Sequence, residues 1–559
     1  MENKDNFIYE VSTEDQSPLN TIEQQQWIFA NDASNNNYGS NQIVFDLTSF
    51  YNASTLISWR EAYLQIPLVS VVETDYSTLP LARYNAYALK NGYANLINSI
   101  QVECSNSTVN QVSNNISFYT NFKVYTEKSK DWFNTSGPSF GYYDVDDPNS
   151  WSFNTTLNNF RGVGSTNNLM APPGASATLT GQTLGNQSLF DRGRSALVFN
   201  NATADPVGSG NGAANIISPS SYAQSGNDYY TSVVKVGTPN TFINTYYHTA
   251  IIRLGDMADF FDKLNLCRAY VRLIVNVNTG SVEIPYAAGD GVISGPIISN
   301  FSFNTCPFIL PALDGASAFS NPKTNITKIK ATIGVVKVII GSTTYNHNLT
   351  ATRVYAPSIL LNPEKEKLYR MNNAQKLIVW RDVFSTSISN TAAGNSVNYV
   401  ISNGITNLVG ILTIPIINGV SNIGATNITS GFAPLSPNLL PFGSEPSTTS
   451  PILNLFNFNA FVGGKSVMPS NIIYSWEAFI NQFNGVNALN GGGQVSGNMC
   501  SGIIDYNKWS NNYRYYYLDC SRRNEADTTP KSITIQFQNN NAVAIDCYFF
   551  VVFERKAIL

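Results

Sequence analysis

The chain has 559 residues, 43% of them hydrophobic, with a net charge of −4. That length exceeds what one hydrophobic core serves, so two or more large domains are expected. Charged residues make up only 13%, about half the ~25% usual for soluble domains. No Lys/Arg block marks either end, so the counterion release that drives nucleic-acid binding has no source and sequence-specific nucleic acid is not an expected partner. A surface this poor in charge points instead to burial against other copies.

Strand signals dominate from the start. In chain order they are QIVFDL (42–47), AYLQIPLVSVV (62–72), LINSIQVEC (96–104), TYYHTAIIRL (245–254) and AYVRLIVNVN (269–278). Then come KIKATIGVVKVII (328–340), QKLIVWRDVF (375–384), GILTIPII (410–417), NFNAFVG (457–463), SITIQFQ (532–538) and AIDCYFFVVFE (544–554). They do not alternate with helices of 10–15 residues, which disfavours a parallel α/β sheet. Helical spacing is confined to short stretches. DMADFFDKL (256–264) has Asp256 placed as an N-cap, and SWEAFINQF (475–483) carries Trp476, Phe479, Ile480 and Phe483 on one side. NPEKEKLYRMNN (362–373) has Asn at the cap, Pro at the first helical position and Glu in the first turn.

Two strands share an awkward feature. LQIPLV (64–69) and LTIPII (412–417) each hold a proline in mid-run, where the missing N–H breaks a sheet ladder. NLINSIQVEC (95–104) follows the first and NLFNFNAFVGG (454–464) the second. The aromatic stretches ISFYTNF (116–122) and IIYSWEAFI (472–480) come next, and upstream QQQWIFAND (24–32) resembles QKLIVWRD (375–382). Recurrence in one order indicates two tandem copies of one antiparallel β-domain, with the proline strand a fixed feature at an edge or bulge. The copies stand 359 residues apart at Asn98 and Asn457 but 276 apart at Ala269 and Ile545, taken as the last strands, so the first copy holds about 83 extra residues. These fall in the Gly/Ser/Asn-rich stretch at about 134–240, read as a long exposed loop insertion.

Catalytic signals are thin. There are two histidines, His248 in a Tyr-rich strand and His347 in a loop, and neither lies in a motif. GPSFG (137–141) matches a nucleophile elbow without the strand–turn–helix context that the elbow needs. DVDDPN (144–149) clusters Asp144, Asp146 and Asp147 but lacks the glycine and terminal glutamate of a calcium loop. No catalytic, cofactor-binding or metal-ligating residue is assigned, and no enzymatic activity is expected. Cys104, Cys267, Cys306, Cys500, Cys520 and Cys547 form no C-x-x-C pair and are expected to be mostly buried thiols. The opening, MENKDNFIYEVSTEDQ, is acidic and polar, and no run of 18 apolar residues occurs, so cytosolic synthesis without a membrane span is expected. The aromatic runs YYHT (246–249) and YRYYYLDC (513–520) suit either subunit contacts or cross-strand packing. SRRNEAD (521–527) suits an ion-pair node or a solvated turn.

An antiparallel domain of about this size with a long inter-strand insertion suits an eight-stranded jelly roll. In tandem, the stretches NQIVFDLTSF, SWREAYLQIPLV, IIRLGDMADFFDKL and VRLIVNVN resemble the double jelly-roll major capsid proteins of the adenovirus-hexon-like lineage. So do RVYAPSILLNPEKEKLY, KLIVWRDV, NGITNLVGILTIPI and NFNAFVGGKSVMPSNIIYSWEAFI in the second half, and NGGGQVSGNMCSGIIDYNKW and RYYYLDCSRRNEAD near the end. The likeness is greatest to those of virophages and polinton-like viruses of protists. It implies an all-β chain of two tandem eight-stranded jelly rolls with a few short loop helices. Residues 1–22 would be an N-terminal arm at the base or on a neighbour, 23–360 the first jelly roll with its insertion raised as an outer tower, and 361–559 the second. It further implies a homotrimeric, pseudo-hexagonal capsomer in the icosahedral shell of a DNA virus. Its partners would be neighbouring capsomers and penton, minor capsid or cement proteins, with any inner membrane reached through those. The competing readings are a β-rich spike or adhesin that binds glycans, which needs no domain duplication, and a β-sandwich glycosidase, which needs a carboxylate pair in a cleft.

Overall fold

The computed structural model describes residues 21–142, 197–200, 229–235, 239–309, 326–418, 453–484 and 503–558, apart from short gaps within these spans. Most of the 134–240 insertion lies outside them, as do residues 1–20, Asp144, Asp146 and Asp147, Cys500 and nearly all of SRRNEAD.

Eight strands carry the first half: β1 (Ile22–Asn31), β2 (Gln42–Asp46), β3 (Tyr63–Tyr76), β4 (Ile97–Cys104), β5 (Ser107–Asn110), β6 (Asn240–Arg253), β7 (Val271–Val277) and β8 (Arg353–Leu361). Their pairing is nested. The first strand pairs with the eighth, the second with the seventh, the third with the sixth and the fourth with the fifth, all antiparallel. Contacts of β8 with β3 and of β7 with β4 join these pairs into two sheets, β1-β8-β3-β6 and β2-β7-β4-β5. Nested pairing split over two facing sheets is the jelly-roll topology.

The second half repeats it with β9 (Leu377–Thr391), β10 (Ser396–Ile405), β11 (Leu408–Ile417), β12 (Leu455–Val462), β13 (Lys465–Ser466), β14 (Tyr516–Asp519), β15 (Lys531–Asn539) and β16 (Ile545–Ile558). Here β9 pairs with β16, β10 with β15, β11 with β14 and β12 with β13. The sheets are β9-β16-β11-β14 and β10-β15-β12-β13. The fold is therefore all-β, a double jelly roll. Burial follows a period of two. On β7, Val271, Leu273, Val275 and Val277 are buried, whereas Arg272, Ile274 and Asn276 are less so. On β15, Ile533, Ile535 and Phe537 are buried in the same way.

Three expectations change. The strand at Val271–Val277 is the seventh of its unit, so its counterpart is Lys531–Asn539 and not the strand at Ile545. The last strand of the first unit is β8, drawn from RVYAPSILL. A second insertion thus separates β7 from β8. Its strands Ile326–Val335, Gly280–Pro285 and Ile298–Phe301 widen the first sheet beyond β3. Next, KIKATIGVVKVII is not one strand. Val336 has a φ of 63°, donates its N–H to the Pro67 carbonyl at 2.9 Å and accepts from the His347 N–H at 2.7 Å. The chain breaks there, and Lys337–Ile340 forms a hairpin with Thr343–Asn346.

The prolines also differ. Pro67 stands opposite Thr249, on the face of β3 and β6 that carries Tyr63 and Tyr247 away from the sandwich interior. Pro415 stands opposite Cys547, on the face that carries Phe549 onto Phe537 and Tyr399 of the opposing sheet. One proline points out and the other in, as a one-residue difference in register requires. Pro67 lies where β3 changes neighbour. Its residues 63–65 pair with β8 and 68–76 with Ile326–Val335, so the missing N–H falls in the gap between two partners. Pro415 lies just past Thr413, where the pairing of β11 with β14 ends.

The labelled helices sit in the loops: α1 (Ile116–Glu127), α2 (Lys130–Thr135), α3 (Leu254–Met257), α4 (Asp259–Lys263), α5 (Pro363–Asn372) and α6 (Trp476–Asn484). Asp256 is inside α3 and caps nothing; DMADFFDKL is broken into two turns at Ala258. On α5 the Asn362 side chain accepts from the Glu364 N–H at 3.2 Å, with Pro363 next, as read from the sequence. On α6, Phe479 and Phe483 are buried and Trp476 and Ile480 half-buried.

Candidate assembly surfaces

The two jelly rolls meet at a seam built around α1. Every residue of this helix from Ile116 to Thr126 is buried, because both its sides are covered. One side packs on its own unit: Tyr125 stacks on Phe133, and the Asn121 amide donates to Asn95 at 2.9 Å. The other side lies on the outer face of sheet β9-β16-β11-β14. Phe118 meets Tyr548 edge-on at 5.2 Å, Tyr119 lies 6.3 Å from Phe550, and Phe122 meets Tyr515 at 4.7 Å and Phe483 at 5.6 Å. Burial pushes the Tyr119 hydroxyl up to about 12. The close approach of Tyr517 to β11 uses Gly410, where a Cβ would fall 2.2 Å from the Tyr517 hydroxyl.

Polar groups clamp the edge strand β9. The Trp380 indole donates to the Val109 carbonyl at 2.9 Å, and its ring meets Phe260 edge-on at 5.2 Å. Arg555, at the end of β16, donates to the same Val109 carbonyl at 3.3 Å and to the Thr108 carbonyl at 3.1 Å. It also pairs with Asp382 at 3.0 Å, a carboxylate with no exposed side-chain surface. The Arg381 N–H donates to Asp259 at 3.0 Å, and Ser113 donates to the Val383 carbonyl. Behind α1, buried Lys123 donates to the Gly255 carbonyl at 3.2 Å, with Asp262 at 3.7 Å and Asp259 at 3.8 Å. Burial alone would push the Lys123 ammonium down; Asp259 and Asp262 outweigh it and hold its pKa above the ordinary lysine value. Burial raises the Asp256 carboxyl, against the opposing pull of Arg253.

These seam residues were not singled out from the sequence. Trp380, Arg381 and Asp382 sit together in KLIVWRDV, and a charged pair interrupting an apolar strand is the signal that was available. The run YRYYYLDC alternates. Tyr516 turns inward onto Phe458 and Tyr474, while Tyr515 and Tyr517 turn outward toward Phe122. His248 is packed beside Tyr246 and Tyr87. His347 is buried in its loop, its Nδ1 accepting from the Leu349 N–H at 2.9 Å. Ser139 of GPSFG lies in a turn that follows α2 rather than a strand, so no nucleophile elbow forms there. Cys104, Cys306 and Cys547 are buried free thiols, Cys520 is buried and Cys267 half-buried.

The outer face of the first unit divides in two. Its upper half, with Val69, Val71, Ile243 and Tyr247, is roofed by Val338, Ile340 and Tyr345 of the Lys337–Asn346 hairpin. Its lower half carries a row of rings. Tyr63 stacks on Tyr355 at 5.1 Å, Tyr355 meets Phe29 at 5.7 Å, Trp27 meets Tyr63 at 5.5 Å, and the Arg353 guanidinium lies 4.6 Å over Phe29. Trp27 is 53% and Phe29 50% exposed.

No family model and no curated protein matches this chain. Among solved structures it is similar to a chain of the Sputnik virophage, at 11% identity and a TM-score of 0.46, over 96% of this chain and 87% of that one. It is also similar to the Faustovirus major capsid protein (9%, 0.41, 96% and 90%) and the mavirus major capsid protein (9%, 0.39, 95% and 87%). All three scores lie below 0.5, so the fold assignment rests on the strand order itself.

Proposed function

We propose that the chain is the major capsid subunit of an icosahedral DNA virus and acts as a homotrimeric, pseudo-hexagonal capsomer without catalysis. The observation that carries this reading is the pair of jelly rolls with the same strand connectivity, locked side by side through one buried helix. Two like but unequal domains let a threefold particle fill a sixfold lattice position, and a spike or adhesin has no need of such a pair. The low charge content suits a surface that neighbours cover. On this reading residues 23–360 and 361–559 are the two domains, residues 1–22 an arm, and the 134–240 insertion part of an outer tower. The chain is made in the host cytoplasm and ends in the virion. It meets other copies of itself first and penton, minor capsid or cement proteins after that.

The native mass in solution tests this. Light scattering on a size column should give about three times 61.2 kDa, stable on dilution, with hexagonal outlines in electron micrographs. A stable monomer that binds glycans in a screen would replace the capsomer with the spike reading.

A further inference from the structure

We infer that the exposed ring row of the first jelly roll, Trp27, Phe29, Tyr63 and Tyr355, is the socket for α6 of a second copy of this chain. The inference rests on the capsomer reading and supplies its subunit contact.

The seam within one chain is the template. In each unit a helix follows the fifth strand: α1 after β5 and α6 after β13. Strands β4 and β12 begin 358 residues apart (455 − 97), and so do β5 and β13 (465 − 107). The same offset sets Phe118 and Phe122 of α1 against Trp476 and Ile480 of α6. Phe118 and Phe122 are among the side chains that α1 sets against aromatics of the second unit's outer sheet face, Tyr548 for one and Tyr515 for the other. Trp476 and Ile480 are only half-buried, and beside them Ile473 is 75% and Tyr506 59% exposed. Their aromatic neighbours among the described residues, Phe479, Tyr506 and Trp509, belong to their own unit.

The sheet faces correspond in the same way. The outer face of β9-β16-β11-β14 is covered by α1. The outer face of β1-β8-β3, the matching strands of the first unit, has apolar rings at the surface. Each chain therefore offers one half-covered helix and one uncovered socket, both apolar, and holds inside itself the contact that would join them. Such a contact is heterologous: each copy gives a helix to one neighbour and takes one from the other, which closes into a ring when the rotation permits. With alternating first and second units, three chains make six like contacts around the ring. Aromatic anchors of this kind are where binding energy concentrates at protein interfaces.

Two variants and a cross-link test it. Phe29→Glu and Ile480→Glu each place a charge in the contact at a position that is exposed or half-buried in the single chain. Each should lower the native mass from about three times 61.2 kDa to 61.2 kDa, with an unchanged circular-dichroism spectrum. Chains carrying Phe29→Cys are then mixed with differently tagged chains carrying Ile473→Cys, reassembled and treated with a bifunctional maleimide, with the unmodified chain as the control for native thiols. Unlike-chain dimers should exceed like-chain dimers at least tenfold. Cross-links between two Phe29→Cys chains, or a Phe29→Glu oligomer of unchanged mass, would overturn the inference and leave the capsomer reading standing. An unmodified chain that stays monomeric would sink both.

Discussion

The same sheet face has opposite fates in the two halves of the molecule. In the second jelly roll, the outer side of β9-β16-β11-β14 takes Phe118, Tyr119 and Phe122 and disappears into the core. In the first, the outer side of β1-β8-β3 keeps Trp27 and Phe29 at the surface, although it too is lined with aromatics. Residue type does not separate the two. What separates them is reach: α1 lies across the second unit's face, whereas on the first unit α5 packs Tyr369 against Ile359 and Leu361 at the end of β8 and leaves the ring row exposed. Among the described residues, α6 meets the first unit at α1, where Phe483 lies 5.6 Å from Phe122, and likewise leaves the ring row exposed.

Substitutions on the two faces should diverge, beginning with the largest effect. Phe122→Ala empties a site between both units and should cost about 3–5 kcal/mol in denaturant unfolding; a loss under about 1 kcal/mol would mean that α1 is not held by the second sheet. Arg555→Met removes the guanidinium that pairs with the buried Asp382 carboxylate and should cost about 3 kcal/mol at pH 7. The double variant Arg555→Met with Asp382→Asn should recover part of that, which a melting series would show.

The roofed half of the first unit's outer face responds to pH. Burial, aided by the nearby His248, pushes the His347 imidazole down to about 4 from an ordinary value near 6.5. The unfolded chain then binds the proton more readily than the folded one. Stability from this group is full above about pH 6.5 and falls as pH drops toward about 4, below which the loss is complete. His347→Asn, which keeps an acceptor for the Leu349 N–H, should flatten the stability slope across that window relative to the unmodified chain. An unchanged slope would mean that the hairpin does not seal this histidine.

Smaller effects sharpen the contrast further. Trp380→Phe removes the bond to the Val109 carbonyl but keeps a ring against Phe260, and should cost about 1 kcal/mol. Phe29→Ala, on the uncovered face, should move the stability of the single chain by less than about 0.5 kcal/mol. A larger loss there would mean that the ring row stabilises the fold itself rather than awaiting a partner.

The sequence by itself determined most of the strands and the duplication, but not β8 or β10. Apolar alternation in VRLIVNV and SITIQF, the Asn-Pro-Glu start of α5 and the recurring aromatic stretches at 116–122 and 472–480 are local signals, carried by side-chain period and cap chemistry. It did not determine which strand was eighth. Val271–Val277 and Ile545–Ile558 are both apolar runs, and only pairing shows that one is a seventh strand and the other a last. Nor did it determine that Pro67 points out and Pro415 in, since a shift of one residue reverses a strand's faces without changing its composition. The seam was equally hidden. Trp380, Asp382 and Arg555 come together from strands 173 residues apart in the chain, and the Val109 carbonyl they enclose carries no signature in its side chain. Pattern along the chain set the elements. Contact across it decided which face was closed and which was left for another molecule.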